Sequence, residues 1–516
     1  MLVKISLLVV FFAVMFGVGL YCRKHATDVN GFVLGGRSVG PWMTAFAYGT
    51  SYFSAVVFIG YAGQFGWKFG LSSTWIGLGN AAIGSLLAWI VLGRRTRIMS
   101  KSLKAGTMPQ FFFERFDSNA LKIAASVIIF VFLVPYTSSI YNGLSRLFGM
   151  AFDIPYVVCV IAMAVLTGAY VILGGYMATA INDFIQGIIM LFGIAAVVVT
   201  VLNGQGGFTE AVLKLSMIEG SNVNGAMQPG VFTSFFGPDP IGLFSVIVLT
   251  SLGTWGLPQM IHKFYAIKSE DDIAKGTIIS TVFAVIVAGG CYFLGGFGRL
   301  FDCEAIYKAD GTIAFDSIIP TMLANVPDIL MGIIVVLVLS ASMSTLSSLV
   351  LTSASTLTLD FLKGNIVKNM KENTALWVMK VMVVVFIAIS VVLALDPPTF
   401  IAQLMGISWG ALAGAFLAPF LLALYWKGVT KISVWACFVW GVGITVLNMF
   451  FNWFSSSITA GAVAMVGGFA VVFIVSLITP KMNEDKVTEI FSCYDKTATV
   501  PVKKVLVDEE DVTAKM

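Results

Sequence analysis

The chain contains repeated runs of about 20 apolar residues, and short polar or charged segments separate them. A helix that crosses the hydrocarbon core of a bilayer needs about 20 such residues. We count thirteen runs, which predicts an all-α polytopic membrane protein with about 13 transmembrane helices. The approximate limits are 4–22, 42–65, 71–93, 121–147, 155–175, 181–203, 241–262, 276–298, 327–359, 375–395, 399–426, 432–453 and 458–479.

Composition excludes several other classes of protein. Of the 516 residues, 58% are hydrophobic and 11% are charged, against roughly 45–50% and about 25% in soluble domains. A soluble core of this length could not hide so much apolar surface, so a soluble enzyme, a disordered chain and a collagen-like chain are excluded. The net charge of +4 forms no single basic face, which argues against nucleic acid as a partner. Six scattered cysteines and two histidines predict neither a zinc site nor a disulfide framework.

The loop charges predict the orientation. The first run is interpreted as a retained span because Arg23 and Lys24 follow it and no small-residue cleavage site does. An odd number of spans puts the termini on opposite sides. With the N-terminus outside, 24 of the 31 Lys and Arg residues lie in the inside loops and tail, Lys263 among them, and 6 lie outside. The positive-inside rule therefore predicts a multi-pass protein of the plasma (cytoplasmic) membrane with its C-terminus in the cytosol.

Two spans contain signals that interrupt a helix. The second span has a small, hydroxyl-rich patch at 48–54, and the seventh span has a similar patch at 250–258 that ends in Pro258. Transporters interrupt helices in paired positions so that backbone carbonyls can bind cargo at mid-membrane. Each patch opens a block of five spans, at 41–203 and 241–426. Because five is odd, the two blocks have opposite topology, which is the pattern of an inverted repeat.

The remaining segments flank these blocks. Residues 1–40 are predicted to be an N-terminal helix and a cytosolic loop, and residues 427–480 two C-terminal helices. Residues 481–516 are predicted to be a mobile, mixed-charge cytosolic tail. Residues 204–240 form a long extracellular loop and 299–326 a second one. Each is either a loop with a short surface helix or a gate over the substrate path.

The ninth span carries a polar stripe. Ala341, Ser344, Thr345 and Ser348 are spaced i, i+3, i+4 and i+7, so they share one helical face. Hydroxyl and carbonyl oxygens suit an alkali cation. Serines in membrane helices also bond back to their own carbonyls or allow close packing, and that alternative stays open.

Asp183 is the one carboxylate that we place within or at the edge of the first block's membrane portion. An ionised Asp at the bilayer centre costs roughly 2.5–3.5 kcal/mol, so it is kept with a partner or a cation. Near a helix start, Asp is also a favoured cap. The residue is therefore either a cation ligand or an N-cap.

Several ordered motifs together resemble the sodium:solute symporter family. They are Leu34 to Gly40, Asn182-Asp183 with Gln186, and Met343 to Ser347, supported by 146–148, 174–175 and 256–258, over about 31–425. The resemblance implies a LeuT-like five-plus-five inverted repeat with one extra N-terminal and two extra C-terminal helices. It also implies a sodium site made by backbone oxygens of Thr50, Phe53 and Ala341 with the hydroxyls of Ser344 and Thr345. A second sodium, as in some sialic-acid members, would use Asp183, Ser344, Ser347 and Ser348, so two ions per cycle or one are both open.

The same resemblance implies less about the cargo. The substrate pocket would be lined by Ser54, Val57, Tyr136, Asn142, Thr250, Thr254, Trp255, Gln403 and Trp409. Members that carry proline have Asp where this chain has Tyr52, and an aromatic pair where it has Thr250 and Thr254. These differences argue against proline as the cargo. Pantothenate members, in contrast, have Tyr at the position of Tyr52, as this chain does.

The function expected from these features is sodium-coupled import of a small polar organic solute by alternating access. We expect the solute to carry a carboxylate, as an amino acid, pantothenate or a similar compound does; a sugar or sialic-acid cargo, or proton coupling through Asp183, are the alternatives. A membrane enzyme is not expected, because neither His25 nor His262 is placed at membrane depth in a titratable cluster. A passive channel would not need paired broken helices. The expected partners are sodium ions, the solute and the lipid bilayer, with a monomer as the functional unit.

Overall fold

The structure is a computed structural model that describes residues 2–23, 26–222, 224–324, 326–363, 365–367 and 369–495. Predictions that concern Lys24, His25 or the tail beyond residue 495 lie outside these residues. In the described residues the secondary structure is helical apart from one two-stranded antiparallel hairpin, β1 (Gly220–Ser221) with β2 (Met227–Gln228). The helices are α1 (Leu2–Cys22), α2 (Val29–Leu34), α3 (Pro41–Tyr52), α4 (Ala62–Phe69), α5 (Thr74–Gly79), α6 (Arg94–Ser102), α7 (Met108–Phe116), α8 (Asn119–Phe152), α9 (Tyr156–Gly204), α10 (Phe208–Met217), α11 (Pro240–Gly256), α12 (Pro258–Ala266), α13 (Asp271–Gly295), α14 (Ile318–Leu323), α15 (Asp328–Thr356), α16 (Glu372–Leu395), α17 (Ile401–Tyr425), α18 (Lys431–Phe451) and α19 (Ser457–Ile478).

Within the described residues, ten helices are long and apolar enough to cross a membrane, or up to eleven when the bent pair α11 and α12 is one span. This number is below the predicted thirteen because two helical stretches, Val56–Ser102 and Tyr156–Gly204, are each counted as one helix although they have 47 and 49 residues. At 1.5 Å per residue, 49 residues extend about 74 Å, more than twice the hydrocarbon thickness. Gly175 has non-helical angles (φ 55°, ψ −154°) and breaks α9 between the predicted fifth and sixth spans. The number thirteen stays a prediction.

Both predicted interruptions are present. Helix α3 ends at Tyr52, and Phe53 is extended (φ −110°, ψ 96°) before wide π-type turns at Val56–Tyr61 lead into α4. Helix α11 ends at Gly256, and Leu257 is also extended (ψ 122°). Pro258 is the first residue of α12, where its missing N–H costs no helical hydrogen bond. The axes of α11 and α12 differ by 45°.

Helix α15 lies at the centre of the molecule. It packs against α1, α3, α8, α9 and α16, and it is buried on nearly every face. A helix that is apolar all round and also surrounded by protein can carry polar side chains only where they meet other polar groups. Its hydroxyl stripe is therefore directed at neighbouring helices. Helices α18 and α19 pack beside α17 at the periphery.

The two long segments that were predicted to be extracellular contain local structure. Residues 204–240 hold α10 and the β1–β2 hairpin, and residues 299–326 hold short 3-10 turns and α14. Helix α10 buries only Ala211 and Leu215 and is therefore a surface helix, as predicted, whereas α14 buries all of its residues except Thr321 and is not.

The start of the tail differs from the prediction that it is mobile. Residues 484–495 are helical. The Tyr494 hydroxyl donates to the Leu424 carbonyl over 3.1 Å, and the Arg95 guanidinium lies 4.5 Å from the Tyr494 ring centre. These contacts dock the first part of the tail against the C-terminal end of α17 and the start of α6, which the charge pattern of the tail alone does not reveal.

Candidate functional site

The broken end of α3 meets the hydroxyl stripe of α15. The Ser344 hydroxyl donates to Thr50 Oγ1 over 2.6 Å, and the Thr345 hydroxyl donates to the Thr50 carbonyl over 3.1 Å. Thr345 Oγ1 also lies 3.4 Å from the Ser51 carbonyl oxygen. The last carbonyls of a helix have no partner within the helix, so they remain available to a side chain or an ion. The break at Phe53 therefore supplies oxygens at a buried position.

The other predicted members of this site lie beside these groups. The Ala341 carbonyl oxygen also lies 3.1 Å from Thr345 Oγ1, whose single proton serves either this carbonyl or that of Thr50. Phe53 and Ala341 both line one small internal cavity, together with Ser54. The structure therefore brings together all five residues of the predicted sodium site, from the two sides of the α3–α15 contact.

The sequence left open whether the α15 hydroxyls bind a cation or bond back to their own helix, and the structure contains hydroxyls with each kind of contact. Ser342 donates to the Val338 carbonyl and Ser347 to the Ser344 carbonyl, so both bond back to their own helix. Ser344 and Ser348 instead reach α3, and the Ser348 and Ser51 hydroxyl oxygens are 2.8 Å apart. Thr345 lies between the two kinds, since its hydroxyl is 3.1 Å both from the Ala341 carbonyl of its own helix and from the Thr50 carbonyl of α3. The predicted face is thus the one that points at the broken helix.

Asp183 lies next to a lysine that the sequence analysis assigned to a cytosolic loop. Lys263 Nζ is 3.6 Å from Asp183 Oδ2 and donates to Ser348 Oγ over 2.9 Å. Both charged side chains are almost fully buried, at 2% and 0% exposure. The loop prediction for Lys263 is wrong, because Pro258 restarts the helix and carries it through Ala266 inside the protein.

The N-cap interpretation of Asp183 is also wrong. Helix α9 breaks at Gly175, and Asp183 lies eight residues further on, in the middle of a continuous helical segment. Its carboxylate lies near the Ser344 hydroxyl as well as Lys263. The sequence held one signal that Lys263 is not in a loop, because the apolar residues Phe264, Tyr265 and Ala266 follow it, but it held none that Asp183 is its partner.

The predicted substrate positions fall into separate groups. In α11, Thr250 donates to Asn80 Oδ1 (2.8 Å), Thr254 to the Gly84 carbonyl (3.1 Å) and Trp255 to the Ile83 carbonyl (3.0 Å). These three side chains therefore face residues 80–84, and their hydrogen bonds hold α11 against that segment.

A second group surrounds Tyr136. The Tyr136 and Trp409 rings meet edge to face at 5.9 Å, and the Tyr136 hydroxyl lies beside Ser54. Among the described residues, Tyr136 Oη and Trp409 Nε1 have no hydrogen-bond partner although they are buried. Tyr52 joins the two groups, since its hydroxyl donates to the Thr250 carbonyl over 2.5 Å and its ring lies 6.1 Å from that of Trp409.

The remaining predicted substrate residues, Val57, Gln403 and Asn142, belong to neither of these two groups. Val57 is buried in the π-type turn after the break. Gln403 is half-buried at the start of α17, where its carbonyl accepts from Ser457. Asn142 Oδ1 accepts from Arg146 Nε over 2.8 Å.

Arg146 belongs to an open cavity with a mainly apolar lining, called the vestibule here, which the sequence patterns did not predict. A cavity of about 620 Å³ is lined by Ser145, Arg146, Tyr156 and Asp316 among other residues. Arg146 Nε lies 3.9 Å from Asp316 Oδ2, which also accepts from the Ile401 backbone N–H over 3.4 Å. Burial raises the pKa of Asp316, and the Arg146 charge opposes that rise. The vestibule thus presents one positive and one negative group.

Paired broken helices, a buried cluster of neutral oxygens and a core helix with a hydroxyl stripe define a multi-pass secondary transporter. The model of the sodium:solute symporter family matches residues 32–441, and the chain belongs to that family.

Curated relatives agree with this assignment. The osmoregulated proline transporter OpuE of Bacillus subtilis is 28% identical over 92% of this chain and 94% of its own length. Sodium/proline symporter 2 of Staphylococcus saprophyticus is 30% identical over 86% of this chain and 85% of its own. A sodium/proline symporter of Staphylococcus aureus is 29% identical over 93% and 92%.

Solved structures agree on the fold. A Na⁺-coupled sialic acid symporter in a substrate-bound, outward-open state has a TM-score of 0.74 at 15% identity, with 93% of this chain and 99% of that chain covered. Mhp1, a nucleobase-cation-symport-1 family transporter, has a TM-score of 0.51 at 14% identity, with 90% and 98% covered. The LeuT-like inverted-repeat fold is therefore confirmed. Na⁺ is confirmed as the coupling ion because the chain belongs to the sodium:solute symporter family. The chain is a multi-pass membrane symporter of sodium and a small organic solute, in a family of symporters.

Proposed function

We propose that the protein imports a small, polar, carboxylate-bearing solute, such as an amino acid or pantothenate, together with sodium bound at Thr50, Phe53, Ala341, Ser344 and Thr345. The single observation that carries this proposal is the contact of Ser344 and Thr345 with Thr50 at the broken end of α3. These oxygens are neutral, and neutral ligands suit a monovalent ion that must also leave.

The two charges of the vestibule support a carboxylate-bearing solute. Arg146 and Asp316 line the same cavity, and a zwitterion offers each of them an opposite charge. The names of the relatives make proline one reasonable cargo, although Thr250 and Thr254 are held by Asn80 and Gly84 and offer no aromatic surface there. The unpartnered Tyr136 hydroxyl and Trp409 N–H are buried donors beside Ser54, and they are the groups that we expect to bind the solute.

The transport cycle follows from these contacts. Sodium enters from outside and replaces the Ser344–Thr50 and Thr345–Thr50 hydrogen bonds with ion contacts, which fixes the broken α3 against α15. Solute binds beside it, the outer vestibule closes, and the helix bundle rocks to face the cytosol, where sodium leaves first. The N-terminus is outside and the C-terminus is cytosolic in this proposal, and one polypeptide completes the cycle.

The driving force is sufficient for accumulation. One charge that crosses about 100 mV gains roughly 2.3 kcal/mol, and about 1.4 kcal/mol corresponds to a tenfold gradient. One sodium per cycle therefore supports nearly 50-fold accumulation of a neutral solute, even without a sodium gradient.

The test is a solute screen followed by transport. Purified protein is heated with amino acids, pantothenate, monocarboxylates, sugars or sialic acid, with and without sodium. We expect an amino acid, pantothenate or another small carboxylate, and not a sugar or sialic acid, to raise the melting temperature, and only with sodium. That compound is then followed in proteoliposomes at fixed pH, with choline replacing sodium in the control. Accumulation that persists in choline and follows a proton gradient would instead support proton coupling. Flux without accumulation would support a channel, and stabilisation by sugars alone would replace the proposed cargo.

A further inference from the structure

A buried ammonium group lies at the meeting place of four helices. Lys263 on α12 is 3.6 Å from Asp183 on α9 and 2.9 Å from Ser348 on α15. The Ser348 hydroxyl continues to Ser51 on α3 over 2.8 Å. Lys263 Nζ also lies 5.3 Å from the centre of the Tyr176 ring. Both halves of the inverted repeat therefore contact this one charge.

The ammonium contacts two of the four residues that were predicted to bind a second sodium. Of the residues predicted there, Asp183 and Ser348 both contact Lys263, and Ser347 bonds back to the Ser344 carbonyl. A buried carboxylate requires one compensating cation, and an ammonium with oxygen partners supplies the same charge as a sodium ion. A sodium ion bound to Asp183 and Ser348 would lie against Lys263 Nζ, where like charges repel in a low-dielectric interior.

We propose that Lys263 is a tethered cation that fills the Asp183 site, so that the protein binds and carries one sodium ion per cycle, at the Thr50–Ser344 site. The proposal rests on the proposed sodium site and concerns only the number of ions. Ser51 links the two sites, because its hydroxyl contacts Ser348 and its carbonyl contacts Thr345. Lys263 therefore supports α3 on one side, and the sodium ion supports α3 on the other.

The test uses sodium alone, so it needs no knowledge of the solute. Radioactive ²²Na⁺ binding to the purified full-length protein is counted per molecule by scintillation proximity. We expect one ion for the wild type and two for Lys263→Met, which keeps the side-chain length but leaves Asp183 without a partner. Lys263→Arg keeps the charge and retains one ion. Asp183→Asn combined with Lys263→Met removes both charges and returns the count to one.

Control and contrary results are distinct. Lys268 is exposed on the same side of the molecule, and Lys268→Met retains one ion. Two ions in the wild type would overturn the proposal, as would one ion in a folded Lys263→Met protein. If Lys263→Met does not fold, the sodium counts of the wild type and of Lys263→Arg still decide whether the proposal of one ion holds. A wild-type protein that binds no sodium would contradict the proposed sodium site instead of this inference.

Discussion

Ser342 and Ser344 are two residues apart on α15, yet their hydroxyls have different kinds of partner. Ser342 donates to the carbonyl four residues back on its own helix, whereas Ser344 donates to Thr50 on the broken helix. A hydroxyl whose only partner is a carbonyl of its own helix is already satisfied and has little to give to an ion. The position on the helical face therefore decides which serines are available for sodium.

The residue-scale prediction is that Ser344→Ala and Thr345→Ala raise the sodium concentration needed for half-maximal uptake. Each change removes one oxygen ligand, worth about 1.4 kcal/mol, so the requirement rises roughly tenfold. Ser342→Ala is the matched control and changes it less than about twofold. Uptake is measured against sodium concentration in proteoliposomes, and equal curves for all three variants would exclude the site from sodium binding.

At the scale of the element, the broken helices depend on very close packing. Gly66 in α4 and Gly295 at the end of α13 have no room for a side chain, because a Cβ on Gly295 would lie 2.0 Å from the Ala62 carbonyl oxygen. Small residues at such contacts let two membrane helices approach closely. The segment after the α3 break is therefore held by backbone contact with the second repeat.

Gly295→Ala is predicted to destabilise the protein. The new methyl group must push α4 away from α13, and overpacking of this kind costs about 1–3 kcal/mol. Gly289→Ala on the same helix is the matched control, since nothing lies within 4 Å of its added Cβ. Thermal unfolding in detergent, followed by size-exclusion chromatography, should show a lower midpoint for Gly295→Ala alone. Equal midpoints would mean that α4 is not held at this contact.

For the whole molecule, the orientation in the membrane is a prediction that the cysteines can test. Cys303 lies in the segment between α13 and α14 and is exposed, and the other five cysteines are buried. With the N-terminus outside, this segment is extracellular.

A membrane-impermeant maleimide is therefore expected to label Cys303 in intact cells, and Cys303→Ser should abolish the signal. Lys101 is exposed in α6, and the predicted orientation places it in the cytosol. A Cys303→Ser, Lys101→Cys protein should be labelled only in inside-out vesicles. Labelling of Cys303 in inside-out vesicles but not in cells would reverse the predicted orientation.

The sequence by itself determined the class of fold, the two interrupted helices and the face of α15 that meets α3. These features follow from local rules: apolar runs match the bilayer thickness, Pro258 cannot continue a helix, and helical periodicity aligns Ser344 with Thr345. Tertiary structure alone decided that Lys263 is buried beside Asp183, that Asp183 lies within a helix, and that the predicted substrate residues divide into groups. Those outcomes depend on where α12 packs against α9 and α15, and contacts between residues far apart in the chain leave no local signal.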